Sequence, residues 1–217
     1  MKEYVIDAKN MDEKELNRTI KEQATHHNKL IINNPDSKHN ICAGLNEDLD
    51  IKINGSVGYF VGTMVNGANI HVDGNAGWFV GDNMTKGELI IEGTAGDGAG
   101  QGIYGGTVIV KGSTGSRTGE IMKGGTVIIG GNSGYMTGLL MMGGKLIILG
   151  DVTDDVGESI MRGTIYVLGD VKSLGKNAIM EETTVEDQKE LKEILTKYDF
   201  ELTDIDYTNF KKIVNMQ

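Results

Sequence analysis

Cysteine is nearly absent. Cys42 stands alone in 217 residues, which excludes an intrachain disulfide and fits a reducing compartment, so a cytoplasmic location is expected. Proline occurs once, at Pro35, which disfavours long disordered linkers. Basic residues run short: 21 Lys and Arg face 31 Asp and Glu, for a net charge of −10. Neither nucleic acid nor an anionic membrane is therefore expected as a partner, because both need a basic face. Long hydrophobic runs are also missing. Leu139–Met142 and Leu146–Leu149 are among the longest, far below the roughly 20 residues that cross a bilayer. The first residues do not read as a charged-then-apolar leader, and a soluble protein is expected.

Glycine is what the chain has in excess, and its placement is periodic. Gly55, Gly74, Gly93, Gly112, Gly131, Gly150 and Gly169 lie 19 residues apart. Further columns begin at Gly58, Gly62 and Gly87 and keep the same interval. Apolar residues share the register. Ile51, Ile70, Leu89, Val108, Val127, Leu146 and Ile165 make one column, and Ile53, Val72, Ile91, Val110, Ile129, Ile148 and Val167 make another two residues on. Aliphatic side chains at i and i+2, mostly β-branched, are strand chemistry with one face inward. A third inward column reads Met64, Met84, Ile103, Met122, Met141, Ile160 and Ile179, with one 20-residue step between Met64 and Met84.

Identical columns at a fixed interval mean stacked coils, each closing the core of its neighbours. The fold class is therefore an all-β solenoid, a parallel β-helix of about seven 19-residue coils and roughly 34 Å of stacked strands. Right-handed winding follows the general crossover preference. A left-handed hexapeptide helix is disfavoured because 19 is not a multiple of six, and the Asn ladder of leucine-rich repeats is absent.

Three segments follow. Residues 1–48 form an α/β N-terminal cap. Tyr4-Val5-Ile6 and Leu30-Ile31-Ile32 read as strands, and a helix capped by Asn10 with Glu13 carries Leu16, Ile20 and Ala24 on one stripe. Residues 49–180 are the β-helix. Residues 181–217 are a helical tail, with Thr184 as cap and Leu191, Ile194, Leu195 and Tyr198 at helical spacing, followed by anchoring apolar residues Phe200, Leu202, Phe210, Ile213 and Val214. Between the two inward strand columns the alternation breaks. The outward position reads Lys52, His71, Ile90, Ile109, Ile128, Ile147 and Tyr166. Four consecutive isoleucines there need a cover, and the tail helix, roughly 20 Å long, is expected to fold back over Ile90–Ile147.

Candidate chemistry is sparse. Gly100-Gln101-Gly102-Ile103-Tyr104-Gly105 matches G-x-G-x-x-G, but a strand follows instead of the helix that would face a pyrophosphate. No P-loop and no G-x-S-x-G elbow occurs. His26, His27, His39 and His71 form no metal-ligand spacing. Asp151, Asp154, Asp155 and Glu158 cluster without an EF-hand pattern, and a solvated turn is the preferred reading over a Ca²⁺ site. Tyr59, Trp78 and Tyr135 share a phase of the repeat, where structural stacking competes with carbohydrate or partner contact. Cys42 reads as buried and inert.

The glycine ladder resembles the GXGXG domain at the C-terminus of the glutamate synthase large subunit. The likeness extends to Glu15-Leu16-Asn17-Arg18, Asn34-Pro35, His39-Asn40, Ala43-Gly44-Leu45 and Phe210-Lys211-Lys212-Ile213-Val214, with Asn215 where a proline is usual. The family includes stand-alone archaeal-type subunits and a subunit of N-methylglutamate synthase, and its repeat is shared with one of the subunits of formylmethanofuran dehydrogenase. The resemblance implies a non-catalytic structural subunit that scaffolds a class II glutamine amidotransferase subunit and an FMN-barrel subunit and shapes the ammonia route between them. It implies no catalytic, cofactor-binding or metal residues in this chain, with FMN and an iron–sulfur cluster on partner subunits. Met1 and Lys2 stand where a class II glutaminase has its N-terminal cysteine, and a barrel of about 250 residues is absent. A scaffold in a formylmethanofuran-dehydrogenase-like complex and a lone enzyme with a site on the solenoid wall are the competing readings.

Overall fold

The computed structural model describes residues 3–200 and 205–216; Met1, Lys2 and Leu202 lie outside them. Eleven strands make one sheet. β1 (Glu3–Asp7), β2 (Lys29–Asn33) and β3 (Asp50–Asn54) lead in, with helix α1 (Glu13–Ala24) between the first two. The repeat supplies β4 (Asn66–Val72), β5 (Lys86–Ile91), β6 (Thr107–Val110), β7 (Thr126–Ile129), β8 (Met142–Ile148) and β9 (Arg162–Val167). β10 (Ala178–Glu182), helix α2 (Val185–Lys197) and β11 (Lys211–Asn215) end the chain. From β3 to β9 the parallel pairing steps by 19 residues, as in Ile51 with Ile70 and Val108 with Val127. The molecule is a parallel β-solenoid, as the sequence predicts.

Both strand columns face inward. All fourteen of their side chains are buried. The third column needs one correction. Met64 is 61% exposed, and Val65, 19 residues before Met84, takes the inward place. Met64 has φ +54, a left-handed turn that hands the core position to its neighbour. The 20-residue step is thus absent from this column, although a bulge of that size sits beside it, where Asn66 pairs with Lys86 and Asn69 with Glu88. At the far end Ile179 is only half-buried, and Ala178 and Ile213 are buried instead.

Glycine serves two different purposes. At Gly119 the backbone is left-handed, φ +68, and a Cβ would lie 2.9 Å from the Met122 sulfur and 3.0 Å from Leu146. At Gly74 the backbone is ordinary, but a Cβ would meet the Ser56 nitrogen of the coil above at 2.7 Å. There the coils touch through bare backbone, and the Gly93 N–H donates to the Gly74 carbonyl at 2.9 Å.

The N-terminal segment extends the solenoid. β1, β2 and β3 are parallel neighbours, and residues 35–45 form a further turn. The Asn40 N–H donates to the Tyr59 carbonyl at 2.7 Å and the Gly44 N–H to Thr63 at 2.9 Å. Cys42, φ +63, stands where the next coils have Gly62 and Gly81 at φ +69 and +68. A left-handed cysteine costs about 1–2 kcal/mol, which burial in the core offsets. α1 is capped by Asp12, which accepts from the Glu15 N–H, and not by Asn10. Asp12 lies three residues before Glu15, so its carboxylate reaches that free N–H directly.

The outward stripe is covered by the tail. Ile109, Ile128, Ile147 and Tyr166 form a second core with Leu191, Leu195, Tyr198 and Phe210, and Ile90, Ile194 and Phe200 pack at its margin. Each fully buried isoleucine is worth about 1.5–3 kcal/mol. β11 then returns antiparallel between β9 and β10. It sets Ile213 opposite Ile165, in the next core position of the first column.

Candidate functional site

Polar contacts hold α2 at both of its ends. The Tyr166 hydroxyl donates to Asp187 Oδ1 at 2.6 Å, and Lys212 Nζ donates to Oδ2 at 2.9 Å. The Thr184 N–H also reaches Oδ2, completing a capping box. Burial raises the Asp187 pKa, but the hydrogen bonds from Tyr166, Lys212 and Thr184 outweigh it and hold the carboxyl far below its usual range. Burial and then the Asp187 contact push the Tyr166 hydroxyl up. At the other end of α2, Lys197 and the Tyr198 hydroxyl each meet Glu88 Oε1 at 2.7 Å. Burial raises Glu88, and these two donors bring it net below its usual value. These groups clamp a helix, and each carboxylate is already spent on a partner.

A groove of about 550 Å³ opens beyond Tyr198, lined by His71, Glu88, Ile90, Glu92, Lys111 and Lys197 among others. Two of its acids are paired, Glu88 with Lys197 and Glu92 with His71 at 2.8 Å, and Asp199 lines it as well. No nucleophile stands against a free base there. Among the described residues no group of three His, Cys, Asp or Glu side chains gathers that could hold a metal ion.

The sequence candidates disperse. His26 and His27 form an edge pair at 6.5 Å beside α1, and Tyr4 lies 5.0 Å from His27. His39 stacks on Tyr59 at 4.7 Å and its Nδ1 accepts the Tyr59 N–H. Tyr59 stacks on Trp78 at 5.1 Å with planes 8° apart. Ring faces turned on one another leave only edges outward, so the stacked pair presents no flat platform to a sugar. Gly100 and Gly102 are left-handed turn residues within a coil. Their N–H groups are engaged with Val80 and Glu120 carbonyls, leaving none for a phosphate. Cys42 is buried, which pushes its thiol up to about 12 and keeps it unreactive.

The acidic turn is part of a ladder. Asp151 accepts the Asp170 N–H at 2.8 Å, and Asn132 accepts that of Asp151 in the same way. Asp154 pairs with Lys172 at 2.8 Å, and Glu158 accepts the Lys176 N–H at 2.6 Å. Asp151, Asp154 and Glu158 thus meet groups of the next coil, while Asp155 meets the Tyr135 hydroxyl of the coil before.

One feature escaped the sequence reading. Thr114, Thr118, Ser133 and Thr137 form a hydroxyl cluster with contacts of 2.8–3.1 Å inside the solenoid. Polar residues at otherwise apolar columns were its signal, with Ala95 and Ala99 one coil before and Val152 and Val156 one coil after.

No helix is long and apolar enough to cross a membrane among the described residues. Comparison with curated proteins finds no match. Among solved structures, the chain is similar to one in the formyltransferase/hydrolase complex (FhcABCD) from Methylorubrum extorquens, solved with methylofuran. The TM-score is 0.71 over 90% of this chain and 84% of that one, at 22% identity, which shows a common fold. The family model described as GXGXG motif matches residues 5–215. With the glycine ladder, both helices and the closing strand inside that match, the chain belongs to the GXGXG family.

Proposed function

We propose that this protein is a non-catalytic structural subunit of a glutamate-synthase-like complex, present in the cytoplasm. In this reading it holds a class II glutamine amidotransferase subunit and an FMN-barrel subunit in register and shapes the ammonia route. FMN and an iron–sulfur cluster would sit on those partners. The observation that carries the reading is what the family-like residues outside the repeat do. Leu16 is buried. Asn17 Nδ2 donates to Glu13 and Asn40 carbonyls at 2.8 and 2.9 Å, stapling α1 to the first turn. Asn34 and Asn40 take left-handed conformations at φ +56. Every one of these residues is spent on building a rigid body, the work of a scaffold.

A second reading, the scaffold of a formylmethanofuran-dehydrogenase-like complex, draws support from the likeness to a chain of the formyltransferase/hydrolase complex. Purification of the chain from its native cell at low salt separates the two. Co-purifying amidotransferase and flavoprotein, with glutamine-dependent glutamate or N-methylglutamate synthesis lost when this chain is omitted, is the expected result. Formyl-transferring or molybdenum- or tungsten-containing partners support the second reading. Glutaminase turnover or stoichiometric flavin in the isolated chain would overturn both.

A further inference from the structure

Helix α1 carries a row of cations on a chain whose net charge is −10. Lys14, Arg18 and Lys21 stand at i, i+4 and i+7, which is one stripe of a helix. The row is roughly 10 Å long. Leu16 and Ile20 hold the other side of α1 in the core, and all three cations are exposed. With Asn17 and Glu22 among others they line a groove of about 740 Å³. Glu22 is the one acid in that lining. It lies 3.9 Å from Arg18 with both side chains well exposed, so the pair is loose. Elsewhere lysines are held closely: Lys29, Lys86, Lys145, Lys172 and Lys197 each meet a carboxylate at 2.6–2.9 Å. Among the described residues, neither Lys14 nor Lys21 enters an ion pair.

Asn17 adds a second demand. Its Nδ2 is used twice, on the Glu13 and Asn40 carbonyls, but its Oδ1 is buried without a hydrogen-bond partner. Buried acceptors are as a rule met by a donor. The groove therefore suits a molecule that brings carboxylates and an N–H donor together. A polypeptide segment rich in Asp and Glu is such a molecule. Alternate side chains of an extended segment are about 7 Å apart, so two or three of its acids match the cation row, and its backbone supplies the N–H groups. A phosphodiester backbone brings acceptors alone, and its long run of charge is repelled by the rest of this acidic chain. A short acidic segment escapes that repulsion, because at physiological salt charges beyond about 8 Å are largely screened. We propose that the cation row of α1 is the docking site for an acidic segment of a partner subunit. Lys14 and Lys21 lie about one turn to either side of Asn17, so their swing onto the partner's carboxylates opens Oδ1 to a backbone N–H. The proposal rests on the scaffold reading and adds to it a contact face and the charge of what that face takes.

The test uses the assembled complex from the native cell. Lys14→Glu with Lys21→Glu is compared with Lys14→Arg with Lys21→Arg, and with a control that reverses as much charge on the exposed side of α2, Lys189→Glu with Lys192→Glu. The melting temperature of each isolated chain is the folding check, and it should not move, because every substituted side chain is exposed. Size-exclusion chromatography should show a roughly tenfold or greater loss of the co-eluting complex for the Glu pair on α1, and none for the Arg pair or the control. On the wild-type complex, a carbodiimide that joins amines to carboxylates without a spacer should link Lys14 or Lys21 to Asp or Glu of a partner subunit. That map needs no variant, so it decides the matter even if a substitution lowers the melting temperature. Retention of the complex by the Glu pair, or a map without links from Lys14 and Lys21, overturns the docking site and leaves the scaffold reading standing. Links that run only to a second copy of this chain, or nuclease-sensitive nucleic acid held by the row, overturn the occupant. A wild-type chain that elutes alone at physiological salt overturns both the docking site and the scaffold reading.

Discussion

Two hydrophobic clusters share one sheet and are closed by different means. The inner core is sealed by repetition: each coil offers the same columns, and the coils above and below complete them. The outer cluster on the opposite face of β6–β9 is sealed by α2, an element that occurs once. Ile109 and Val110 make the contrast as sharply as a sequence allows. They are adjacent and both fully buried, Val110 in the first cluster and Ile109 in the second. The inner cluster cannot open without breaking the coil stack. The outer one opens if α2 lifts away. A repeat therefore provides the rigid body, and the non-repeating tail provides the part that can yield.

The strongest test breaks the inner side. Val110→Asp puts a carboxylate among aliphatic side chains with no donor at hand, and its cost is expected to reach at least about 4–5 kcal/mol. Domains are stable by about 5–15 kcal/mol, so the variant should be recovered unfolded or with a collapsed melting temperature by circular dichroism. A parent-like melt would show that the column does not face inward.

Ile109→Glu is the matching test on the outer side. Its penalty is capped by the docking energy of α2, because the helix can undock and let the carboxylate reach water. A loss of about 2–4 kcal/mol is expected. Hydrogen exchange should show α2 unprotected, a hydrophobic dye should bind, and the strand amides should stay protected. Equal loss of protection in strands and helix would mean that the two clusters are one cooperative unit.

The clamp at Asp187 sharpens the comparison through pH. Its folded-state pKa is depressed, so its contribution is present above the unfolded value near 3.8 and is lost as pH falls below it toward the folded value. Acid should loosen α2 before the solenoid core, which contains no carboxylate in its columns. Asp187→Asn should remove that acid sensitivity and lower stability at neutral pH, because Lys212 and Tyr166 lose an anionic partner. A titration of α2 by hydrogen exchange from pH 5 down to pH 2 that looks the same in both proteins would dissociate the clamp from Asp187.

The inner core was legible in the sequence because periodicity multiplies each signal. Fourteen aliphatic positions agree, so no single substitution could hide the register. The outer cluster was legible for the opposite reason: isoleucine at an outward position is a local violation that demands a cover, and the tail helix had a matching length and apolar stripe. What was missed lies where the period does not govern. Met64 and Val65 are both apolar, and only backbone handedness decides which one turns inward. Asn10 and Asp12 are both acceptable caps, and the choice depends on where β1 ends. The insertion of β11 between β9 and β10 joins residues about 45 positions apart in sequence, and no short-range pattern reports a long-range antiparallel return.

The smallest expected effect concerns the hydroxyl cluster, a polar patch inside the repeat. Thr118, Ser133 and Thr137 are all nearly fully buried, and their protons go to one another or to the Gly115 and Gly134 carbonyls. Ser133→Ala alone deletes a donor to Thr118 and leaves partners unsatisfied, which should cost about 1–3 kcal/mol. Replacing the set with the alanine and valine that the same columns already use in the flanking coils removes both sides of each bond. Thr114→Val, Thr118→Val, Ser133→Ala and Thr137→Val together should therefore lie within about 1 kcal/mol of the parent and above the single variant in urea midpoint. That inversion, four changes milder than one, holds only if the hydroxyls stabilise through mutual satisfaction. A quadruple variant that loses several kcal/mol would mean that the cluster supplies net stability and belongs with the inner core as a structural element in its own right.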